Sequence, residues 1–128
     1  MLYDCIIDNM KYIILLFALF LAGVALIPRG ADAYIDHETA VLRVLNKAAG
    51  KAQTVRVPVD YSIDFEKLNI AVRSCKQSDP FDAENFFAFV EISDSSAGQI
   101  FGGWMNRNEP GNNPLQNPDY DVWLVNCE

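Results

Sequence analysis

Carboxylates are the groups in this chain best supplied for acid–base work. Glu91 is embedded in a phenylalanine-rich apolar run, and Asp119 and Asp121 stand two apart around Tyr120. Two carboxyl groups flanking a glycosidic bond can serve as proton donor and as base or nucleophile. An acid in apolar surroundings has its pKa raised toward the range such chemistry needs. On a strand, Asp119 and Asp121 share one face. Nothing in the spacing places Glu91 opposite either of them, and a small β domain leaves little room for a substrate cleft. Nucleophilic catalysis is poorly supplied, because it needs a base that exchanges a proton near neutrality. The single histidine, His37, stands in the lead-in ahead of the first expected strand.

Metal ligation is equally thin. A structural zinc site takes four Cys or His ligands, which His37 and a cysteine pair do not make up. Asp79, Asp82 and Glu84 form one acidic cluster, and Asp60, Asp64 and Glu66 another. Hard oxygen ligands in loops suit calcium, yet neither cluster has the EF-hand spacing, and acidic loops are commonly just solvated faces. No cofactor motif is present, and no cofactor is expected. The aromatics are the remaining resource. Trp104, Trp123, Tyr120 and Phe101 can build a platform for a glycan or a peptide, or pack into the core against a disulfide. Alternation puts Trp123 on the same face as Cys127, the core side. Trp104 follows Gly102-Gly103 and leads into a long polar loop, so it is the surface aromatic of the two.

The compartment follows from the N-terminus. Residues 12–27 are apolar and uncharged, Lys11 precedes them, and Pro28-Arg29-Gly30 and Ala31-Asp32-Ala33 follow. That order is an export signal with small residues at −3 and −1 of a cleavage site. The stretch is short against the ~20 residues a membrane-spanning helix needs. An uncleaved signal anchor is the alternative. Asp4 and Asp8 sit poorly before such a signal, and Met10-Lys11 makes a more ordinary start. Residues 1–33 are therefore read as a signal peptide and 34–128 as a single mature domain of 95 residues, periplasmic or otherwise exported. Membrane contact is expected only through an uncleaved signal. Cys5 leaves with the signal, and Cys75 and Cys127 form an even pair that is expected to be disulfide-bonded in an oxidising compartment. No C-x-x-C spacing supports a redox site. The mature segment carries fourteen acidic against eight basic residues, near −6. The basic residues are scattered, so no nucleic acid is expected as a partner, and the acidity disfavours an anionic lipid surface.

The mature chain reads as strands. Residues 39–45 and 53–59 form a hairpin, with Pro58 demoting the second strand to an edge or a bulge. Residues 68–72 alternate and deliver Cys75 at the strand's end. Residues 85–92 make an apolar strand expected to be covered on both faces. Residues 99–105 form a strand in which Gly102-Gly103 marks a bulge or a close backbone approach, and 120–127 is the last strand. About six antiparallel strands predict an all-β sandwich or partly open barrel. Residues 34–38 are expected to be a flexible lead-in. Two loops remain, 76–84 and 106–118, the second with three prolines and five asparagines. Loops of that length are often functional or mobile.

Leu68-Asn-Ile-Ala-Val-Arg-Ser-Cys75, Phe87-Ala-Phe-Val-Glu-Ile92, Phe101-Gly-Gly-Trp-Met105 and Asn117-Pro-Asp-Tyr-Asp-Val-Trp-Leu-Val-Asn-Cys127 together form a pattern that resembles a bacterial family, domain of unknown function 2155. The resemblance runs from about Val41 to Cys127. It implies a small exported envelope protein of Gram-negative bacteria with a cysteine pair, and it supplies no activity. The expectation is therefore an exported, non-catalytic binding or accessory module whose partner is an envelope protein or glycan. Its contact surface is expected at Trp104, Arg107, Glu109 and Tyr120. A small carboxylate-dependent envelope hydrolase is the alternative. A structural subunit of an inner-membrane complex, held by an uncleaved signal, is another.

Overall fold

The computed structural model describes residues 2–24 and 33–128, which fall into two compact units. The first is helix α1 (Leu2–Val24), which runs without a break through Met10-Lys11. Among the described residues no helix is long and apolar enough to cross a membrane. The end of the apolar stretch at 25–27, Pro28-Arg29-Gly30 and Ala31-Asp32 of the cleavage motif lie outside the described residues.

The second unit is all-β. Its described residues form β1 (Ile35–His37), β2 (Thr39–Asn46), β3 (Lys51–Pro58), β4 (Ser62–Phe65), β5 (Leu68–Gln77), β6 (Phe86–Asp94), β7 (Gly98–Asn106) and β8 (Tyr120–Cys127). They make two antiparallel sheets that face each other as a sandwich. One sheet has the order β1-β5-β6-β7, with β4 also on β5, and the other has the order β3-β2-β8. Because β6 runs along one side of β5, β1 and β4 share its other edge: β1 lies beside Cys75 to Gln77, and β4 beside Leu68 to Ala71. Pro58 ends β3 on a sheet edge, where its missing N–H leaves no ladder bond unmade.

Alternation decides which side chains fill the space between the sheets. Leu42, Val44, Val57, Leu68, Ile70, Val72, Val90 and Ile92 are essentially without solvent exposure and form the core. Cys75 on β5 and Cys127 on β8 both point into it and are joined as a disulfide with Cα atoms 5.7 Å apart. The bond therefore ties one sheet to the other. Cys75 lies within β5, which continues through Gln77, so the strand does not end at the cysteine.

Three expectations need correction. Residues 34–38 are not a free lead-in, since Ile35 to His37 pair with β5 and the His37 ring bonds the Gln77 side chain at 2.9 Å. Strand β6 is not covered on both faces. Phe86, Ala88, Val90 and Ile92 are buried, whereas Phe87, Phe89 and Glu91 are only half-buried on the outer side. Of the two expectations for Gly102-Gly103, the bulge is the one that fails, because both pair regularly with β6 and the extra residue on β7 is Ile100, whereas a close approach is found at both. Two short strands, β1 and β4, also go beyond the six expected. Three or four residues carry too little periodicity to declare themselves.

Candidate binding surface

The outer face of the larger sheet is built by the alternation of β6. Phe87, Phe89 and Glu91 leave the core side, and the β6–β7 register sets Asn106, Trp104 and Gly102 beside them in turn. Phe89 and Trp104 meet edge to face, with ring centroids 5.4 Å apart at 77°. At the neighbouring rung Tyr34, just before β1, packs edge to face on Phe87 at 5.8 Å and 82°. Such T-shaped contacts satisfy the ring quadrupoles and hold the rings in place. Even so, Trp104 remains 45% exposed and Tyr34 50% exposed. Charge pairs border this aromatic strip: Arg73–Glu91 at 3.4 Å and Lys76–Asp36 at 3.7 Å. Both are solvent-accessible and contribute little to stability.

The glycines before Trp104 have a spatial reason. A Cβ at Gly103 would lie 2.6 Å from Nδ2 of Asn113, so the absence of a side chain there leaves room for the Asn113 amide. That approach lets the Asn113 amide donate to the Trp104 carbonyl at 3.2 Å. Loop 107–119 is thus fastened to the backbone of β7 at Trp104.

The four expected contact residues separate. Trp104 stands on the strip. Arg107 directly follows β7, and all three nitrogens of its guanidinium donate a hydrogen bond. It donates to the Glu84 carboxylate and the Glu84 carbonyl at 3.0 Å each, and to Asn108 Oδ1 at 3.0 Å. It also lies over the Phe86 ring, 4.7 Å from the centroid. Its structural job is to clamp loop 78–85 to the end of β7. Glu109 is exposed in the first turn of the long loop, where its N–H donates to Asn106 Oδ1. Tyr120 is not a surface residue. It is buried on the inner side of β8, and its hydroxyl donates to Glu66 Oε2 at 2.7 Å. The bond to the Glu66 carboxylate, then burial and the Glu66 charge, hold its pKa above the usual phenol value.

The four aromatics do not make one platform. Phe101 and Tyr120 are buried. Trp123 lies opposite Arg43 on the outer face of the smaller sheet, half-buried. The alternation argument fails there because Val125 is an extra residue between the rungs at Asn126 and Leu124, which reverses parity before Cys127. Trp123 lines a shallow pocket of about 380 Å³ with Pro110, Gly111 and Pro114 of the long loop.

The carboxylates do not converge on an acid–base site. Glu91 and Asp121 are on the outer faces of opposite sheets, Asp119 is in the turn before β8, and Glu91 is paired with Arg73. In the acidic loops, Asp79 accepts the Phe81 N–H, Asp64 accepts from Asn69, and Glu66 accepts from Asn46 and Tyr120. Among the described residues, no group of three or more His, Cys, Asp or Glu is placed to hold a metal ion.

Sequence reasoning missed Tyr34, Phe87 and Phe89 as members of the exposed strip. The odd-numbered phenylalanines of β6 were the available signal. It also missed the amide network that joins the two loops. Asn85 Nδ2 donates to Asn106 Oδ1 at 2.8 Å, and Asn85 Oδ1 accepts the Asn108 N–H at 3.1 Å.

No curated protein and no solved structure matches the chain. A family model does, and it spans residues 40–127, from the second residue of β2 through Cys127. Both sheets, the disulfide and the Trp104 strip fall within this match apart from Tyr34 and β1, and the chain belongs to the family described as an uncharacterized protein conserved in bacteria (DUF2155).

Proposed function

We propose that the chain is an exported accessory module of the bacterial envelope, periplasmic in a Gram-negative cell, that binds a protein partner through the outer face of its larger sheet. The observation that carries this reading is the Trp104–Phe89 pair. It is a rigid, half-exposed aromatic contact on a sheet face that nothing in the described domain covers. An aromatic centre bordered by charged residues is the usual composition of a protein interface. The alternating charge pairs of the border, Arg73–Glu91 and Lys76–Asp36, suit a partner of mixed charge. The inter-sheet disulfide supports the oxidising, exported compartment that the apolar N-terminus suggests. Against the hydrolase alternative stand the placement of Glu91 and Asp121 on the outer faces of opposite sheets and the pairing of Glu91 with Arg73.

The test is recovery of a partner from envelopes with tagged full-length protein, wild type against Trp104→Ala. The wild type should retain a specific envelope protein that the variant loses, while the thermal midpoints stay close because the indole is half in water. Equal recovery by both would overturn the assignment of this face. Intact mass on the same samples reports whether the chain is cleaved after Ala33.

A further inference from the structure

Phe81 is the most exposed large apolar side chain among the described residues, at 98%. It stands at the tip of loop 78–85, between β5 and β6, and this tip is built rather than slack. Ser78, buried at the base, donates to the Ala83 carbonyl at 3.0 Å and accepts the Asn85 N–H at 2.9 Å. The Ser78 N–H donates to the Asn85 carbonyl at 2.9 Å. At the tip, Asp79 Oδ1 accepts the Phe81 N–H at 2.8 Å, and the Asp79 carbonyl accepts the Asp82 N–H at 2.9 Å. Arg107 clamps the far side through Glu84. A pinned loop that leaves a whole phenyl ring in water has not ordered itself by burying that ring, because the ring makes no contribution to the fold.

The surroundings of the ring define what it fits. Asp79 and Asp82 flank it, and residues 78–85 contain no basic side chain. An apolar anchor in a negative field is repelled by an anionic lipid surface. It matches an apolar cavity whose rim is cationic, since complementary charge steers docking and fixes register. Tyr34 and Ile35 lie at the same end of the sheet, with Ile35 paired to Gln77 just before the loop, and both are partly exposed. They add apolar surface beside the anchor, the arrangement in which a central aromatic dominates an interface. We propose that Phe81 is the anchor residue of the interface and inserts into an apolar pocket rimmed by Lys and Arg on the partner protein. This deepens the binding-module reading and rests on it.

Site-specific photocrosslinking in the bacterium that encodes the chain tests it. p-Benzoylphenylalanine is placed in the full-length protein at position 81, at position 104, and at Tyr61, an exposed aromatic elsewhere (68%), as a control. Position 81 should give one discrete protein adduct, mapped on the partner to apolar residues with Lys or Arg adjacent. Its yield should fall about tenfold when Asp79→Asn and Asp82→Asn are introduced together. Asn at 79 keeps the oxygen that holds the Phe81 N–H, and thermal midpoints check that the tip and domain are intact. An adduct at 104 but none at 81 would overturn the anchor and leave the binding face standing. No adduct at either position would sink both. A lipid adduct at 81, an adduct indifferent to the Asp→Asn changes, or the same adduct in equal yield from position 61 would each overturn the cationic-rimmed pocket.

Discussion

Asp94 shows how a single side chain closes a hairpin. At the end of β6 its Oδ1 accepts the Ser96 N–H at 2.7 Å, the Ser96 hydroxyl at 2.9 Å and the Ala97 N–H at 3.3 Å, and Gly98 then takes φ +77°. These bonds, the Ser96 N–H first, favour the ionised form and hold the Asp94 pKa below the ordinary carboxylate value. A depressed folded pKa contributes stability that is complete above the unfolded value of ~3.9 and is lost as pH falls through the folded one. Asp94→Asn should therefore lower the thermal midpoint at neutral pH, and the gap from wild type should close as pH drops below about 4. Unfolding curves collected across that range would show it, and a pH-independent gap would refute the charge-based account. Tyr120 has the opposite sign. Its pKa is raised, so its contribution is present below the unfolded value of ~10 and lost as pH rises through the folded one. Tyr120→Phe should destabilise the domain at neutral pH and remove part of its alkaline sensitivity. Its partner Glu66 adopts φ +50°, a left-handed conformation costly for a residue with a Cβ. The hydrogen bonds from Tyr120 and Asn46 help hold it there.

At the scale of elements, loop 107–119 works as a plug. Leu115 is 4% exposed and belongs to the core cluster, filling the side of the sandwich between β7 and β8. Asn117 Oδ1 accepts the N–H groups of Asp119 and Tyr120, and the Asn117 carbonyl accepts from the Lys47 ammonium at 2.8 Å. The long loop of prolines and asparagines thus also returns one leucine to the interior. Leu115→Ala should cost about 2–4 kcal/mol through the cavity it leaves. It should also open residues 107–119 to limited proteolysis before the rest of the domain. A variant cut no faster than wild type would show that the plug is dispensable. The free edge of β3 is guarded by Lys51, Arg56 and Pro58, which discourages strand addition there.

For the whole molecule, two open sheets of modest area are held face to face by one core and one covalent bond. The disulfide spans a sequence separation of 52 residues, for which loop-closure entropy gives about 4 kcal/mol. That is a large share of the stability of a domain this small. Cys75→Ser should lower the thermal midpoint by roughly 15–30 °C, the change expected for this energy in a domain of this length. Reductant should produce a similar fall in wild type and none in the variant. An unchanged midpoint in Cys75→Ser would refute a structural role for the bond.

Much of the architecture was legible along the chain, for reasons that are local. Val55 and Val57, Leu68 to Val72, and Val122 and Leu124 repeat with period two, and that period is a property of an extended backbone. The cysteine parity, Pro58 at an edge and the exposure of Trp104 came from equally local rules. What sequence reading misplaced were the features set by pairing between distant strands. The bulge at Val125 moved Trp123 to the outside, because parity survives only while the register is unbroken. Tyr120 lies inside with Val122 and Leu124, and its hydroxyl can be buried there because Glu66, a residue 54 positions away, accepts its hydrogen bond. Arg107 became a clamp because β7 ends beside Glu84, and the aromatic strip exists because β6 pairs Phe89 with Trp104. Alternation is carried by each residue's own backbone, whereas register, and with it the neighbours of every surface side chain, is settled only when the sheets close around a shared core.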